Sequence, residues 1–500
     1  MKDQGILLLF LIVFLYKFAT LGMAPFLADE TLYAEMIAEE GNHISFLPDY
    51  LGYPAPWKPG LYFIAYSFFV PPGSAIFGSL EYIYRFPNLI FGLMNAYLVY
   101  LIARRFEDRA TALATAFFFY ASFVAIFTEG RLLMEPFMMA MVLLSLYFYV
   151  RKEGSRNLNF AAAGAFALAA ALTKSVIALM VPVLAVAYVL QFERKNIANP
   201  VFLASLLAVP LGLAVFWVAL DGIGMAREVF FIDTGKMFLY DYVSMGLHSL
   251  GKGIYYGVLP MLFIVVISFM GLKRHWKENW LFSAWYALSL VPILSSFSAI
   301  WYFYYIVPGV AFFAAKMLWQ KEEGLDKFAM FILCIYAIGY MAYAYYSTTE
   351  QLGWGMEDGK RIGLMLSGKE NVLFFGTYYP NTVSVAYKVL SERQATGAYK
   401  DFGYVLFGNG IPMPDGESLR DFTYDYYNDK YEREEGFGRM FWEDRIFFRR
   451  ANPTDFEYVV VTPKINATLE GYEVYYDGLG STVFRKTASG AGGPGASGGS

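Results

Sequence analysis

The sequence predicts a mainly α protein: a polytopic membrane helical bundle of about eleven spans, followed by a small α/β domain outside the membrane. Three observations carry this. Hydrophobic residues make up 57% of the chain and charged residues only 16%, far from an average soluble domain. Apolar runs near spanning length recur as far as residue 346. After about Ser347 charges, glycine and tyrosine rise and strand-like segments replace the long apolar ones.

The apolar runs lie at 5–22, 86–103, 110–127, 134–150, 158–172, 176–191, 199–220, 254–271, 281–298, 301–316 and 328–346. Each approaches the ~20 residues that cross a bilayer core, and the shorter ones are expected inside a packed bundle. No small-residue cleavage site follows the first run, so it is expected to stay as a span. Arg104-Arg105, Arg151-Lys152, Arg194-Lys195, Lys273-Arg274 and Lys316/Lys321 fall on alternate loops, all on one side. By the positive-inside rule that side is cytoplasmic. The reading is a multi-pass protein of the cell membrane, with its amino terminus inside and its carboxyl-terminal domain outside. Two outer loops are long, 23–85 and 221–253. In the first, Leu61–Val70 is apolar but short and precedes Pro71-Pro72, which predicts an interfacial helix.

Beyond the spans, strand-like runs begin at Val372, Tyr458 and Tyr472, with a helical pattern over Thr382–Arg393. The expected division is a membrane domain 1–347, an α/β domain 348–487 and a flexible Gly/Ser-rich tail 488–500. Cys334 is the single cysteine and lies in an apolar run, which excludes an internal disulfide and a Cys/His zinc cluster. A formal charge of −4 without a basic stripe gives no reason to expect a nucleic-acid partner.

Four segments put ionisable groups at helix ends on the outer side: Asp29-Glu30 with Tyr33, Lys58-Pro59-Gly-Leu-Tyr62, Thr128-Glu129-Gly-Arg131 with Glu135-Pro136, and Thr173-Lys174. Carboxylates and cations in one layer suit a reaction on a lipid phosphate. A carboxylate takes a proton from a hydroxyl, and Lys and Arg hold the charge that builds on a departing phosphate. No nucleotide is needed, and no phosphate-cradling Gly motif sits at a strand-to-helix junction. Each residue also has a plainer reading. Asp29 suits a helix N-cap, and Glu30 a first-turn acid facing the helix dipole. Lys58 and Lys174 suit interfacial anchors, and Arg131 with Glu135 an i,i+4 pair. His43 and His248 suit solvated loop positions.

The order and shared sidedness of these segments resemble the GT-C glycosyltransferases, in particular the protein O-mannosyltransferase and lipid A aminoarabinose transferase group. The resemblance spans about the first 350 residues. It rests on Asp29-Glu30-Thr-Leu-Tyr33-Ala-Glu35, on Lys58-Pro59-Gly-Leu-Tyr62 where the family usually has Lys-Pro-Pro-Leu-Tyr, and on Arg85-Phe-Pro-Asn-Leu. Arg131 four before an acid and a proline, Leu-Thr-Lys174 and Tyr305-Ile-Val-Pro308 complete it. It implies transfer of a sugar from a polyprenyl-phosphate carrier to an acceptor lipid, protein or glycan outside the cytoplasm, with inversion.

By that resemblance Asp29 is the general base, with Glu30 and Glu135 as further catalytic carboxylates. Lys58, Arg131 and Lys174 line the donor phosphate with Arg85 assisting, and Tyr33, Tyr62 and His248 belong to the substrate site. Glu135 stands where the family more often has Asp. The family's metal-binding glutamate before Lys-Pro-Pro is replaced by Trp57, so a divalent metal is left open and no cofactor is assigned. The rival reading is a multispan lipid or sugar-lipid transporter or flippase. It expects charges at the midplane and two related halves, whereas here charges gather at one interface without internal duplication. An oligosaccharyltransferase would carry a Trp-Trp-Asp-Tyr-Gly segment, which is absent, and a noncatalytic sugar-lipid sensor would bind the carrier without turnover.

Overall fold

A computed structural model describes residues 2–41, 43–50, 53–54, 58–174, 177–222, 261–294, 300–319, 325–352, 356–400, 402–407, 446–448, 455–462, 469, 471–479 and 481–487. The chain opens with α1 (Lys2–Thr20) and α2 (Ala28–Glu40), a two-residue hairpin of β1 (Asp49–Tyr50) and β2 (Tyr53–Pro54), and two short helices, α3 (Leu61–Ser67) and α4 (Val70–Ile76). The expected interfacial helix is thus two helices. Pro71 and Pro72 open the second instead of ending the first, since proline costs least in a first helical turn.

The bundle continues with α5 (Leu80–Ala103), α6 (Arg109–Tyr120), α7 (Phe123–Glu129), α8 (Glu135–Val150), α9 (Arg156–Ala171), α10 (Met180–Phe192), α11 (Pro200–Leu206) and α12 (Ala208–Gly222). After these come α13 (Leu262–His275), α14 (Trp280–Leu294), a 3-10 turn at Ile300–Tyr305, α15 (Val307–Leu318) and α16 (Leu325–Leu352). Among the described residues, every apolar run carries helix. Among the described residues, Leu80–Ala103 and Pro200–Gly222 are each long and apolar enough to cross a membrane alone. The run expected as one span at 110–127 is broken: α6 and α7 meet at 57°. Ser122 causes the break by capping α7, its hydroxyl accepting the Ala125 amide at 3.1 Å and donating to the Phe119 carbonyl at 2.8 Å. Exposed leucines four residues apart (Leu7, Leu11 and Leu15 on α1; Leu203, Leu207 and Leu211 on α11–α12) give lipid-facing stripes that water would not tolerate.

Inside the bundle lies a charge pair that the sequence reading did not single out. Lys17 of α1 meets Glu129 of α7 at 2.5 Å, both side chains fully buried. Tyr304 donates its hydroxyl to the same carboxylate at 2.7 Å, and Asn95 donates to the Tyr304 oxygen at 3.2 Å. Gly92 makes the room, because a Cβ there would collide with the Glu129 carboxylate. Removing one member of such a pair strands a buried charge, at a cost of about 3–5 kcal/mol. Lys17→Met is therefore expected to lower the unfolding temperature in detergent strongly, and Lys17→Met with Glu129→Gln to recover much of the loss. An unchanged single variant would show that the pair contributes nothing.

The carboxyl-terminal part adds α17 (Met356–Met365), β3 (Val372–Thr377), α18 (Tyr378–Thr396), β4 (Gly403–Phe407), β5 (Ile446–Phe448), β6 (Tyr458–Thr462), β7 (Tyr472–Asp477) and β8 (Thr482–Lys486). The sheet order is β5-β4-β3-β6-β8-β7, with β3 parallel to both β4 and β6 and the outer pairs antiparallel. The three strands and the helix expected from sequence are present, joined by β4, β5 and β8. This domain is fixed to the bundle through α18. Tyr387 accepts the Phe26 amide at 3.0 Å and donates to Glu81 at 2.6 Å, its ring stacked on Phe26. Lys360 reaches Glu81 at 2.6 Å, and Arg393 reaches Glu39 at 2.5 Å. α18 thus holds the segment before α2 at Phe26 and the far end of α2 at Glu39.

Candidate functional site

Leu27 is the N-cap of α2, and the Glu30 carboxylate folds back to accept its amide at 2.8 Å. Asp29 therefore sits inside the first turn, half-buried, and is not the helix cap. Its neighbour Glu30 is fully buried. Arg85 donates to Glu30 from Nε at 2.7 Å and from Nη2 at 2.8 Å, and the Leu132 amide adds 2.7 Å. Arg131 approaches at 3.5 Å. The remaining Arg85 donors go to the carbonyls of Leu21, Ala24 and Pro25, so all five N–H groups are engaged within the protein. Burial pushes the Glu30 carboxyl up, and the Arg85 and Arg131 guanidiniums with the Leu27 amide more than reverse it, leaving it below the ordinary carboxylate value.

The same carboxylate organises the loop between α7 and α8. Glu30 takes the Leu132 amide, while Asn88 of α5 donates to the carbonyls of Arg131 and Leu133. Tyr66 of α3 donates in turn to the Asn88 side-chain oxygen. The loop so fixed leads into Glu135, the first residue of α8. Glu135 pairs with Lys174 at the end of α9, not with Arg131. The i,i+4 pair fails because residues 130–134 are not helical, which turns Arg131 toward Glu30 instead.

Lys174 joins the second half of the site. Its ammonium stands 4.5 Å from the Tyr302 ring centre. Burial works against that charge, and Glu135, then Tyr302 and Asp29, outweigh it and hold the ammonium above its usual pKa. Tyr33 packs edge-on against Tyr62 with ring centres 6.0 Å apart. The hydroxyls of Tyr62 and Tyr305 are buried without a hydrogen-bond partner among the described residues, and both feel the Glu135 carboxylate. Unpaired buried hydroxyls are costly, so these two are donors in want of an acceptor. Tyr305 and Tyr302 entered the sequence reading only as part of a motif or not at all; the 3-10 turn at 300–305 brings them to the site.

Two clusters thus lie side by side: Glu30 with Arg85 and Arg131, and Glu135 with Lys174 and Asp29. Lys58 is partly exposed, three residues before α3, and makes no ion pair among the described residues. His248 and Trp57 lie outside the described residues. Among the described residues no three His, Cys, Asp or Glu side chains come together, and Glu30 and Glu135 are committed to cations. Among the described residues this donor set does not form a metal site.

At the far end of α2, burial pushes the Glu40 carboxyl up to about 7, against the Ser45 amide that donates to it at 2.7 Å; Asp49 and Glu39 push further up and His43 pulls down. A folded-state value above the unfolded one means the native state binds the extra proton. Between the ordinary carboxylate pKa and about 7, stability therefore falls as pH rises. Glu40→Gln is expected to raise the unfolding temperature at pH 8 and to leave it unchanged at pH 4. Parallel melting curves of parent and variant across that range would contradict this.

Residues 60–220 match the family described as dolichyl-phosphate-mannose-protein mannosyltransferase. No curated protein sequence matches the chain at a significant level. The structure is similar to ArnT from Cupriavidus metallidurans bound to undecaprenyl phosphate, with TM-score 0.64, 13% identity, and coverage of 97% of this chain and 99% of that one. It is also similar to the oligosaccharyltransferase of Archaeoglobus fulgidus tethered to an acceptor peptide, with TM-score 0.53, 11% identity, and coverage of 96% and 74%. The same organism's AglB in complex with an inhibitory peptide and dolichol-phosphate gives TM-score 0.50, 12% identity, and coverage of 98% and 75%. The chain has the GT-C fold. The resemblance drawn from its short motifs holds at the level of architecture, along nearly its whole length.

Proposed function

We propose that this protein is an integral membrane glycosyltransferase that moves a monosaccharide from a polyprenyl-phosphate carrier to an acceptor hydroxyl on the extracytoplasmic side. The observation that carries the reading is Asp29: a half-buried carboxylate in the first turn of α2, beside the Lys174–Glu135 pair and next to the saturated Glu30. The shared fold supports it, since ArnT and AglB were each solved with a polyprenyl-type lipid phosphate.

In this mechanism Asp29 accepts the proton of the acceptor hydroxyl. The oxygen forms a bond to the anomeric carbon from the face opposite the phosphate, and the carbon–oxygen bond to the phosphate breaks with inversion. The carrier phosphate leaves with the electron pair, its charge met by Lys58, Lys174 and Arg131. Tyr62 and Tyr305 supply hydroxyl donors to the sugar or phosphate. Glu135 holds Lys174 toward the site. Glu30 and Arg85 are positioning residues: the one is saturated as an acceptor and the other as a donor, so they fix the Arg131 loop and the start of α2. The carboxyl-terminal domain, pinned through Tyr387, covers the acceptor side.

The test is incubation of the purified protein with polyprenyl-phosphate-linked sugars of several identities, followed by mass spectrometry. Release of the free carrier phosphate together with a glycosylated acceptor is expected. Movement of the carrier lipid between leaflets of vesicles, with every sugar–phosphate bond intact, would instead establish a transporter.

A further inference from the structure

We infer that a groove between α18 and the bundle edge beneath it binds a glycerophospholipid, one acyl chain lying in the groove and the phosphodiester at Arg393. The groove encloses about 280 Å³ and is separate from the Asp29 layer. Its floor comes from the first turns of the spanning helix α5 (Leu80, Ile83 and Tyr84), and its walls from the end of α2 and from α3–α4. That volume lies at the bottom of the ~300–1,000 Å³ range of small-molecule sites, room for a chain but not for a whole lipid.

Three features select this occupant. The first is depth. A cavity lined by the opening turns of a spanning helix lies at headgroup level, where phosphates are found. Phe68 and Ile76 on the neighbouring short helices are exposed, as lipid-facing residues would be. The second is the wall. Its serines point inward to their own helices: Ser67 donates to Ile64 at 2.8 Å and Ser74 to Pro71 at 2.9 Å, leaving an apolar surface for a chain. The third is Arg393. Its side chain is nine-tenths buried. Nη2 is taken by Glu39 at 2.5 Å, Nη1 reaches the Ala38 carbonyl at 3.5 Å and the guanidinium lies 4.6 Å from the Tyr399 ring centre, but Nε is buried with no hydrogen-bond partner among the described residues. A buried guanidinium N–H beside an apolar groove calls for an anionic oxygen at the head of an apolar chain, which is a phosphodiester. Glu39 has already balanced the arginine's charge, so the site selects the phosphodiester itself and not the net charge of the headgroup.

The experiment is native mass spectrometry of the full chain, stripped of lipid by detergent exchange and titrated with dioleoyl phosphatidylglycerol, dioleoyl phosphatidylethanolamine or dioleoylglycerol. Both phospholipids are expected to bind with similar affinity, and dioleoylglycerol at least about tenfold more weakly. Arg393→Gln should bring the phospholipids down to the level of dioleoylglycerol. Ser74→Trp, on an exposed position that lines the groove, should weaken all three. Glu39→Gln breaks the same domain contact but leaves the Arg393 donor, and should retain the phospholipid preference. Equal binding of dioleoylglycerol, an undiminished preference in Arg393→Gln, an unaltered Ser74→Trp, or a matching loss in Glu39→Gln would each overturn the inference. None of these readouts depends on sugar transfer, so its failure and that of the proposed activity are separable.

Discussion

Asp29→Asn is expected to reduce sugar transfer by about a thousandfold or more while changing donor affinity only a few-fold, the range seen when a general base is removed. The amide keeps the shape and hydrogen-bonding reach of the carboxylate but cannot take a proton from the acceptor. Asp29 stands in the first turn of α2, and that turn is built by Glu30, Leu27 and Arg85, none of which the substitution touches. Fold and carrier binding should therefore survive. The substitution also removes a charge that faces Lys174, whose ammonium is stabilised by Glu135 and Tyr302 ahead of Asp29. Single-turnover assays with a labelled donor, alongside binding of the free carrier phosphate, separate the two effects. A variant that turns over at the parent rate would remove Asp29 from the chemistry. A variant that loses carrier binding in step with turnover would make it a binding residue.

How far the sequence disclosed this arrangement depends on the range of the interaction. Helix positions were legible because hydropathy is a local property, and the described part of each apolar run carries helix. The break between α6 and α7 was not: the run from Phe117 to Phe127 stays apolar through the break, and one serine, Ser122, decides it by capping. Local spacing also suggested that Arg131 would pair with Glu135. The fold instead gave Arg131 to Glu30 and Glu135 to Lys174, partners 101 and 39 residues away. Spacing of four implies contact only on a helix, and Gly130 before the pair with Pro136 behind it leaves a loop there. The buried Lys17–Glu129 pair was missed for the same reason: Glu129 stood out beside Arg131, but its partner lies 112 residues away inside the first apolar run. In the carboxyl-terminal domain the central strands β3 and β6 announced themselves through continuous apolar runs, as strands buried on both faces do. β5, only three residues long at the sheet edge, carried too little pattern.

The largest structural effect is expected at Glu30. Glu30→Ala leaves the Arg85 guanidinium, the Leu27 and Leu132 amides and Arg131 without their shared acceptor, all inside the protein. An uncompensated buried charge costs about 3–5 kcal/mol, and the stranded amides add to it. Loss of most of the folded protein in detergent is the expected result, read by thermal unfolding and by size-exclusion profile. Because the folded-state pKa of Glu30 lies below its unfolded value, its contribution is complete above the ordinary carboxylate range and fades as pH falls through the native value. The stability difference between parent and Glu30→Ala should accordingly shrink toward low pH. Fold and chemistry part in the double variant Glu30→Ala with Arg85→Met, which removes both charges together. It should recover much of the lost stability, since no guanidinium is left stranded. It should not recover transfer, because the Leu132 amide still lacks the oxygen that fixes the loop carrying Arg131 and leading to Glu135. Restored stability with restored transfer would mean that the loop finds its place unaided. Glu30 would then be a structural counter-ion with no part in positioning the site.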